Sequence, residues 1–156
     1  MDAVSETDWF ARYMALAEHV AQWSKDPSTK VGAVVVGMNR RNIAVGYNGF
    51  PPRIRDDEAR LADREIKYRY MQHAERNVLD NAQFDLSGGT LATTLHPCVE
   101  CAKSIVSRGI HVVVCPGMPT PEEDRWIQRA RWAADIMREV GISLIYVRDG
   151  HRVIRR

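Results

Sequence analysis

Apolar residues at Trp9, Tyr13, Leu16, Ala17 and Val20 recur at the three- and four-residue spacing of one helical face, so residues 7–23 are predicted to be helical, with Ser5 and Thr7 as candidate caps. After the Pro-containing loop KDPSTK at 25–30, two β-rich runs at 31–36 and 42–47 flank the short connection GMNRR and predict a β-hairpin. The stretch 55–70 mixes Arg with Asp and Glu at spacings that suit a solvated helix or an ordered flap, and its pattern selects neither. Helical spacing returns over 73–81 and ends before Gly88-Gly89, and a strand is expected at 90–95. A helix over 97–108 closes at Gly109 and leads to a strand at 110–115. Beyond the loop PGMPTP, a long helix over 122–140 and a strand over 142–147 complete the pattern, and the tail HRVIRR is expected at the surface. The last strands are joined by helices long enough for parallel crossovers, whereas the first two are joined by a tight turn. The expected architecture is therefore α/β, a mixed five-stranded sheet with helices on both faces in three layers.

Composition narrows this little. The 156 residues make one domain's worth of chain, with 45% hydrophobic and 27% charged positions and a net charge of +2. Residues 1–156 are read as a single domain, since no repeat or Gly/Ser-rich linker divides them. No apolar run approaches the roughly 18 residues of a membrane span, and the acidic start MDAVSETD does not resemble a signal peptide, so a cytoplasmic location is expected. Arg supplies most of the 22 basic residues, which suits phosphate binding, but the small net charge argues against a nucleic-acid polymer as partner.

Three cysteines cannot form a paired disulfide framework, and their spacing points elsewhere. Two short motifs stand at successive helix starts, His73-Ala74-Glu75 and Pro97-Cys98-Val99-Glu100-Cys101. Cys98 and Cys101, three residues apart with Pro97 as the expected first helical residue, place both sulfurs on one face at a positively polarised helix end, which favours thiolates. With the imidazole of His73 they make one nitrogen and two sulfurs for a zinc ion, leaving a fourth position for water whose pKa zinc lowers toward neutrality. Glu75 is two residues from His73, a rotation of about 200° on a regular helix, so both can face one pocket only if the motif straddles the helix start. Placed there, its carboxyl can take a proton from water and hand it on as general base and acid.

The chain resembles the cytidine and deoxycytidylate deaminase superfamily, and within it the deoxycytidylate (dCMP) deaminase branch. The resemblance rests on SKDPSTKVGAVVV at 24–36, GYNGFP at 46–51, HAERN at 73–77 and PCVECAKSIVSRGI at 97–110; the zinc motifs define the superfamily. It implies a cytidine-deaminase-like fold, a Zn2+ cofactor held by His73, Cys98 and Cys101, Glu75 as proton shuttle and hydrolysis of dCMP to dUMP with release of ammonia. It also implies a nucleotide contact by Asn48 and a homo-oligomer, commonly a hexamer. A monophosphate substrate needs donors near its sugar end, and Lys25, Ser28, Thr29 and Lys30 are the candidates. Ala74, between the ligand and the acid, and His96, beside the cysteine motif, are candidate pocket residues. Pro51-Pro52-Arg53 stands where many members carry a further Gly, which argues against nucleotide effectors bound at that loop.

Two other readings stay open at this level. One is an RNA-directed adenosine deaminase of the same superfamily. The other is a non-catalytic structural zinc or interaction module, in which Cys115 or His96 closes the fourth position; a C-x-x-C redox pair would not need the His73-Ala74-Glu75 helix start. His19, His111 and His151 are read as packing, surface and tail residues.

Overall fold

A computed structural model describes residues 5–119, 124–148 and 152–155. Helix α1 (Glu6–Ala21) starts at Ser5, whose hydroxyl accepts from the Asp8 amide while the Asp8 carboxylate accepts from the Ser5 amide. This reciprocal cap satisfies two of the donors a helix start leaves unpaired, and Ser5, not Thr7, performs it. Strands β1 (Gly32–Val36) and β2 (Ile43–Tyr47) form the expected antiparallel hairpin, with Val34 opposite Val45. The charged stretch resolves into two short helices, α2 (Glu58–Ala62) and α3 (Arg64–Tyr70), capped by the side chains of Asp57 and Asp63. Then follow α4 (Ala74–Asn81), β3 (Thr90–Thr93), α5 (Val99–Ser107), β4 (Val112–Pro116), α6 (Asp124–Glu139), β5 (Ser143–Arg148) and β6 (Arg152–Arg155). The start expected for the last helix, at residue 122, lies outside the described residues.

The sheet order is β2-β1-β3-β4-β5-β6. β3, β4 and β5 run parallel, as their helical crossovers require, and β1 is antiparallel to both neighbours. The five expected strands are all present in a mixed sheet. A sixth, from the tail expected at the surface and not counted among the strands, pairs antiparallel with β5 and extends the sheet by one edge.

Alternation along the strands divides the core. Val34, Val36, Ala92 and Val114 pack under Phe10, Tyr13, Met14 and Ala17 of α1. Ala33, Val35, Leu91 and Val113 face α4, α5 and α6 through Val78, Ala102, Ile105, Ala133 and Met137. The three layers follow from this period of two. One glycine sets the approach of α1. A Cβ on Gly32 would overlap the Ala17 carbonyl oxygen and stand 2.6 Å from the Ala21 amide nitrogen, both backbone atoms that cannot rotate away. Gly32→Ala is therefore expected to destabilise by about 3 kcal/mol, at the upper end of ordinary overpacking. In a chain of this size that lowers the melting temperature by roughly 10 °C, and a thermal melt showing no loss would remove the close approach of α1 to β1.

Candidate functional site

His73 is the N-cap of α4, in extended backbone geometry at φ −67° and ψ 150°, and its ring makes no capping hydrogen bond. Glu75 lies two residues on, inside the first turn. The motif thus straddles the helix start, which lets a ligand and an acid two residues apart share one pocket. Cys98 is likewise the N-cap of α5, at φ −79° and ψ 172°, and its sulfur accepts from the Cys101 amide at 3.4 Å. The sequence placed Pro97 in the first helical position; the helix begins two residues later. The two sulfurs consequently occupy the cap and the third helical position, and still converge.

The His73 Nδ1 lies 3.5 Å from the Cys98 Sγ and 3.4 Å from the Cys101 Sγ. A tetrahedral zinc with Zn–N near 2.05 Å and Zn–S near 2.3 Å would hold its nitrogen and sulfur ligands about 3.6 Å apart, so the three atoms already stand at the separation such an ion imposes. Their electrostatics agree. The hydrogen bond from Cys101, then those from His73, draw the Cys98 thiol down to about 4 against its burial. The same bond, burial and the charge of Glu75 push the Cys101 thiol up. The hydrogen bond to Cys98 and the nearby negative charges raise His73 against the partial desolvation of its ring. Crowded anionic sulfur and imidazole nitrogen make a donor set that a borderline-soft cation satisfies better than protons can. His73, Cys98 and Cys101 are the group among the described residues that can hold a metal ion; His96 and Cys115 do not join it.

Glu75 is 3% exposed and is not part of the ligand group. Burial pushes its carboxyl up, against the hydrogen bond from its own amide and the charge of His73. Ala74, wholly buried, packs the start of α4 into the core. His96 is 9% exposed; its Nδ1 donates to the Pro97 carbonyl at 3.1 Å, and its Nε2 is buried with no hydrogen-bond partner. Burial lowers its pKa below the usual imidazole range. Cys115 is fully buried at the end of β4, and burial followed by the charge of Glu75 pushes its thiol up.

The loop before β1 is built differently from its sequence reading. The Asn48 amide holds the loop: its Oδ1 accepts from the Val31 amide at 2.8 Å, and its Nδ2 donates to the Thr29 carbonyl at 2.9 Å and to Asp26 Oδ2 at 3.4 Å. Ser28 Oγ accepts from Lys67 Nζ at 2.9 Å, and Lys25 pairs with Asp56 at 3.0 Å on the surface. Lys30 is exposed and makes no ion pair among the described residues. The residue next to His73 is tied to this loop region, because Gln72 and Gly49 exchange backbone hydrogen bonds at 2.8 and 3.1 Å.

Asp26 and Lys67 carry the buried charge here, and no sequence motif singled them out. They are 6% and 8% exposed and meet at 3.2 Å, fastening α3 to the loop. Burial would raise the Asp26 carboxyl, but the Ser28 and Thr29 amides and Lys67 outweigh it and hold it below the usual carboxylate range. A carboxyl lowered by folding contributes stability above its unfolded value near 3.9, and that contribution is lost as pH falls through the folded value. Lys67→Met leaves the carboxylate buried without its cation and is expected to cost about 3 kcal/mol at pH 7. The gap to the parent should begin to narrow below about pH 4 and close as pH falls through the lowered folded value, where protonation of Asp26 dissolves the pair in the parent too. Urea unfolding at pH 7 and pH 3 measures this, and a gap that stays constant would dismiss the pair as its source.

Comparison with known proteins adds to this geometry. The family model for the cytidine and deoxycytidylate deaminase zinc-binding region matches residues 7–116. An uncharacterized deaminase in the luxG 3′ region of Aliivibrio fischeri is 38% identical over 139 residues, covering 89% of this chain and 93% of that protein. A probable deoxycytidylate deaminase of Drosophila melanogaster is 42% identical over 117 residues, and the human deoxycytidylate deaminase is 39% identical over 113 residues. These matches take in 68% and 69% of this chain but 58% and 64% of the relatives, so the chain spans less than two thirds of their length. The crystal structure of the dCMP deaminase of cyanophage S-TIM5 in apo form shares the fold, with a TM-score of 0.67 at 24% identity over 90% of this chain and 98% of that one.

Proposed function

Because this chain belongs to the cytidine and deoxycytidylate deaminase zinc-binding family, we propose that it hydrolyses the amine of a cytosine nucleotide, converting dCMP to dUMP and ammonia. One observation carries the reading: a buried carboxyl that ligates nothing lies beside three converging ligand atoms. The relatives named deoxycytidylate deaminase support dCMP as the nucleotide.

His73, Cys98 and Cys101 would hold a zinc ion, which when bound would make hydroxide available as nucleophile at neutral pH. Glu75 takes a proton from the attacking water and passes it to the ring nitrogen. The oxygen bonds to the amine-bearing ring carbon as a hydroxyl; the same carboxyl, now unprotonated, takes that hydroxyl's proton and delivers it to the amine, and the carbon–nitrogen bond breaks to leave the carbonyl and ammonia. His73 is exposed and Cys98 half-buried, which gives the base an approach from solvent, while Glu75 stays in the interior where its proton is shielded from water.

The loop carrying Lys25, Ser28, Thr29 and Lys30 reads the phosphate, with Lys30 the cation in place for it, and Asn48 keeps the loop in shape for the sugar. His96 and Ala74 line the base end. Residues 1–156 act as one deaminase domain that works in the cytoplasm as a homo-oligomer. No helix among the described residues is long and apolar enough to cross a membrane.

Loss of ultraviolet absorbance with dCMP, CMP, dCTP, deoxycytidine and an adenosine-containing tRNA loop tests the substrate. Turnover of dCMP well above the others is expected. Turnover of the tRNA loop instead would replace the reading with the adenosine one, and zinc-replete protein inert on every compound would end it.

A further inference from the structure

Glu75 has to keep its carboxyl aimed at the reacting atoms although it ligates nothing, and the side chains around it say what holds it. Along β3, Leu91 packs with Ala74, Val78 and Ala102 on one face of the sheet, and Ala92 packs under α1 on the other. Side chains alternate along a strand, so Thr93 returns to the face of Leu91, beneath the start of α4 where Glu75 sits. Its partner across the sheet is Ala33, whose small side chain leaves the hydroxyl uncovered from that side.

Thr93 is completely buried, and its Oγ1 has no hydrogen-bond partner among the described residues. A buried hydroxyl lacking a partner is costly, and apolar residues of the same shape would fill the position without that cost. The Glu75 carboxyl, on the helix packed over that face, is near enough for the hydroxyl to act on its charge.

We propose that Thr93 is a positioning residue for the reaction, donating its hydroxyl hydrogen to the Glu75 carboxyl so that the oxygen that carries the proton points into the pocket. The inference rests on the proton-carrying part assigned to Glu75. Thr93 touches neither nucleotide nor metal ligand in this scheme, so its loss acts on the rate of proton transfer and not on binding.

The test compares Thr93→Val, which keeps the volume and removes the hydroxyl, with Thr93→Ser, which restores it, in zinc-loaded protein. A positioned general acid–base contributes about 100- to 10,000-fold, and a carboxyl freed to turn loses part of that. The expected result for Thr93→Val is a kcat on dCMP lowered about tenfold, KM within about twofold, zinc at one per chain and a melting temperature equal to or above that of the parent. Thr93→Ser should recover most of the rate. In a Glu75→Gln background, Thr93→Val should change the residual rate no further, since there is no proton carrier left to aim. Should Thr93→Val fold poorly, Thr93→Ala against Thr93→Ser gives the same comparison. An unchanged kcat without the hydroxyl, a Ser variant as slow as the Val variant, or an equal further loss on the Gln background would each overturn the proposal. Failure of the functional reading is separate: it appears as a parent protein inactive on dCMP, or as full activity in Glu75→Gln.

Discussion

Glu75→Gln is expected to hold one zinc per chain, to melt no lower than the parent, and to turn over dCMP at least about 100-fold more slowly. Each part follows from where the side chain lies. The carboxyl is outside the group of atoms that converge on the metal position, so its amide isostere leaves His73, Cys98 and Cys101 in place. It is buried at 3% exposure near the sulfur of Cys98 and the thiol of Cys101, and a carboxylate in that company destabilises the fold; a neutral amide of equal size does not. An amide cannot accept and return a proton, so the chemical step alone suffers. Metal analysis, a thermal melt and a dCMP assay on one preparation separate the three statements. A variant that keeps its zinc and its rate would show that the proton travels by another group. A variant that loses its zinc would make Glu75 a ligand after all.

The divide between what the sequence discloses and what it conceals follows the range of the interactions. α1 and the β1–β2 hairpin are local: a helical stripe, a Ser5–Asp8 cap and two β-branched runs around a tight turn decide them within a few residues. The metal ligands are also legible, because a helix start presents its cap and first-turn residues together, and both motifs use that geometry. α2 and α3 are not, since neither carries an apolar stripe. They form where Asp57 and Asp63 cap them and where Lys67 finds Asp26, 41 residues away in sequence. The Asp at each start was the available clue; the ion pair had none. β6 is hidden for the same reason, since two aliphatic residues between two arginines carry no period of their own and become a strand where β5 offers an open edge. Asn48 shows the reverse case, a residue singled out by resemblance whose amide turns out to fasten the loop from Asp26 to Val31. Thr93 belongs with Lys67: its neighbour Glu75 is brought to it by the packing of α4 on the sheet.

Cys101→Ser is expected to reduce bound zinc to below about a tenth of stoichiometric, to abolish dCMP turnover, and to lower the melting temperature of the zinc-loaded protein to that of chelator-treated parent. The serine hydroxyl is a poor replacement for a thiolate toward zinc, and this position has no slack to compensate: Cys101 is fully buried in the first turn of α5, with its sulfur 3.4 Å from the His73 nitrogen. A zinc ion on these atoms would join two helix starts, α4 by way of His73 and α5 by way of both cysteines. Binding to the folded chain alone stabilises it by an amount that grows with the logarithm of free zinc over the dissociation constant, so parent protein should lose melting temperature on chelation. Cys101→Ser, having no such linkage, should not respond to chelator or to added zinc. Cys115→Ser supplies the contrast. Its sulfur is equally buried but lies outside the converging group, so this variant should keep its zinc and its response to chelation. Stoichiometric zinc in Cys101→Ser, or its disappearance from Cys115→Ser, would place the ion elsewhere and with it the whole assignment of the pocket.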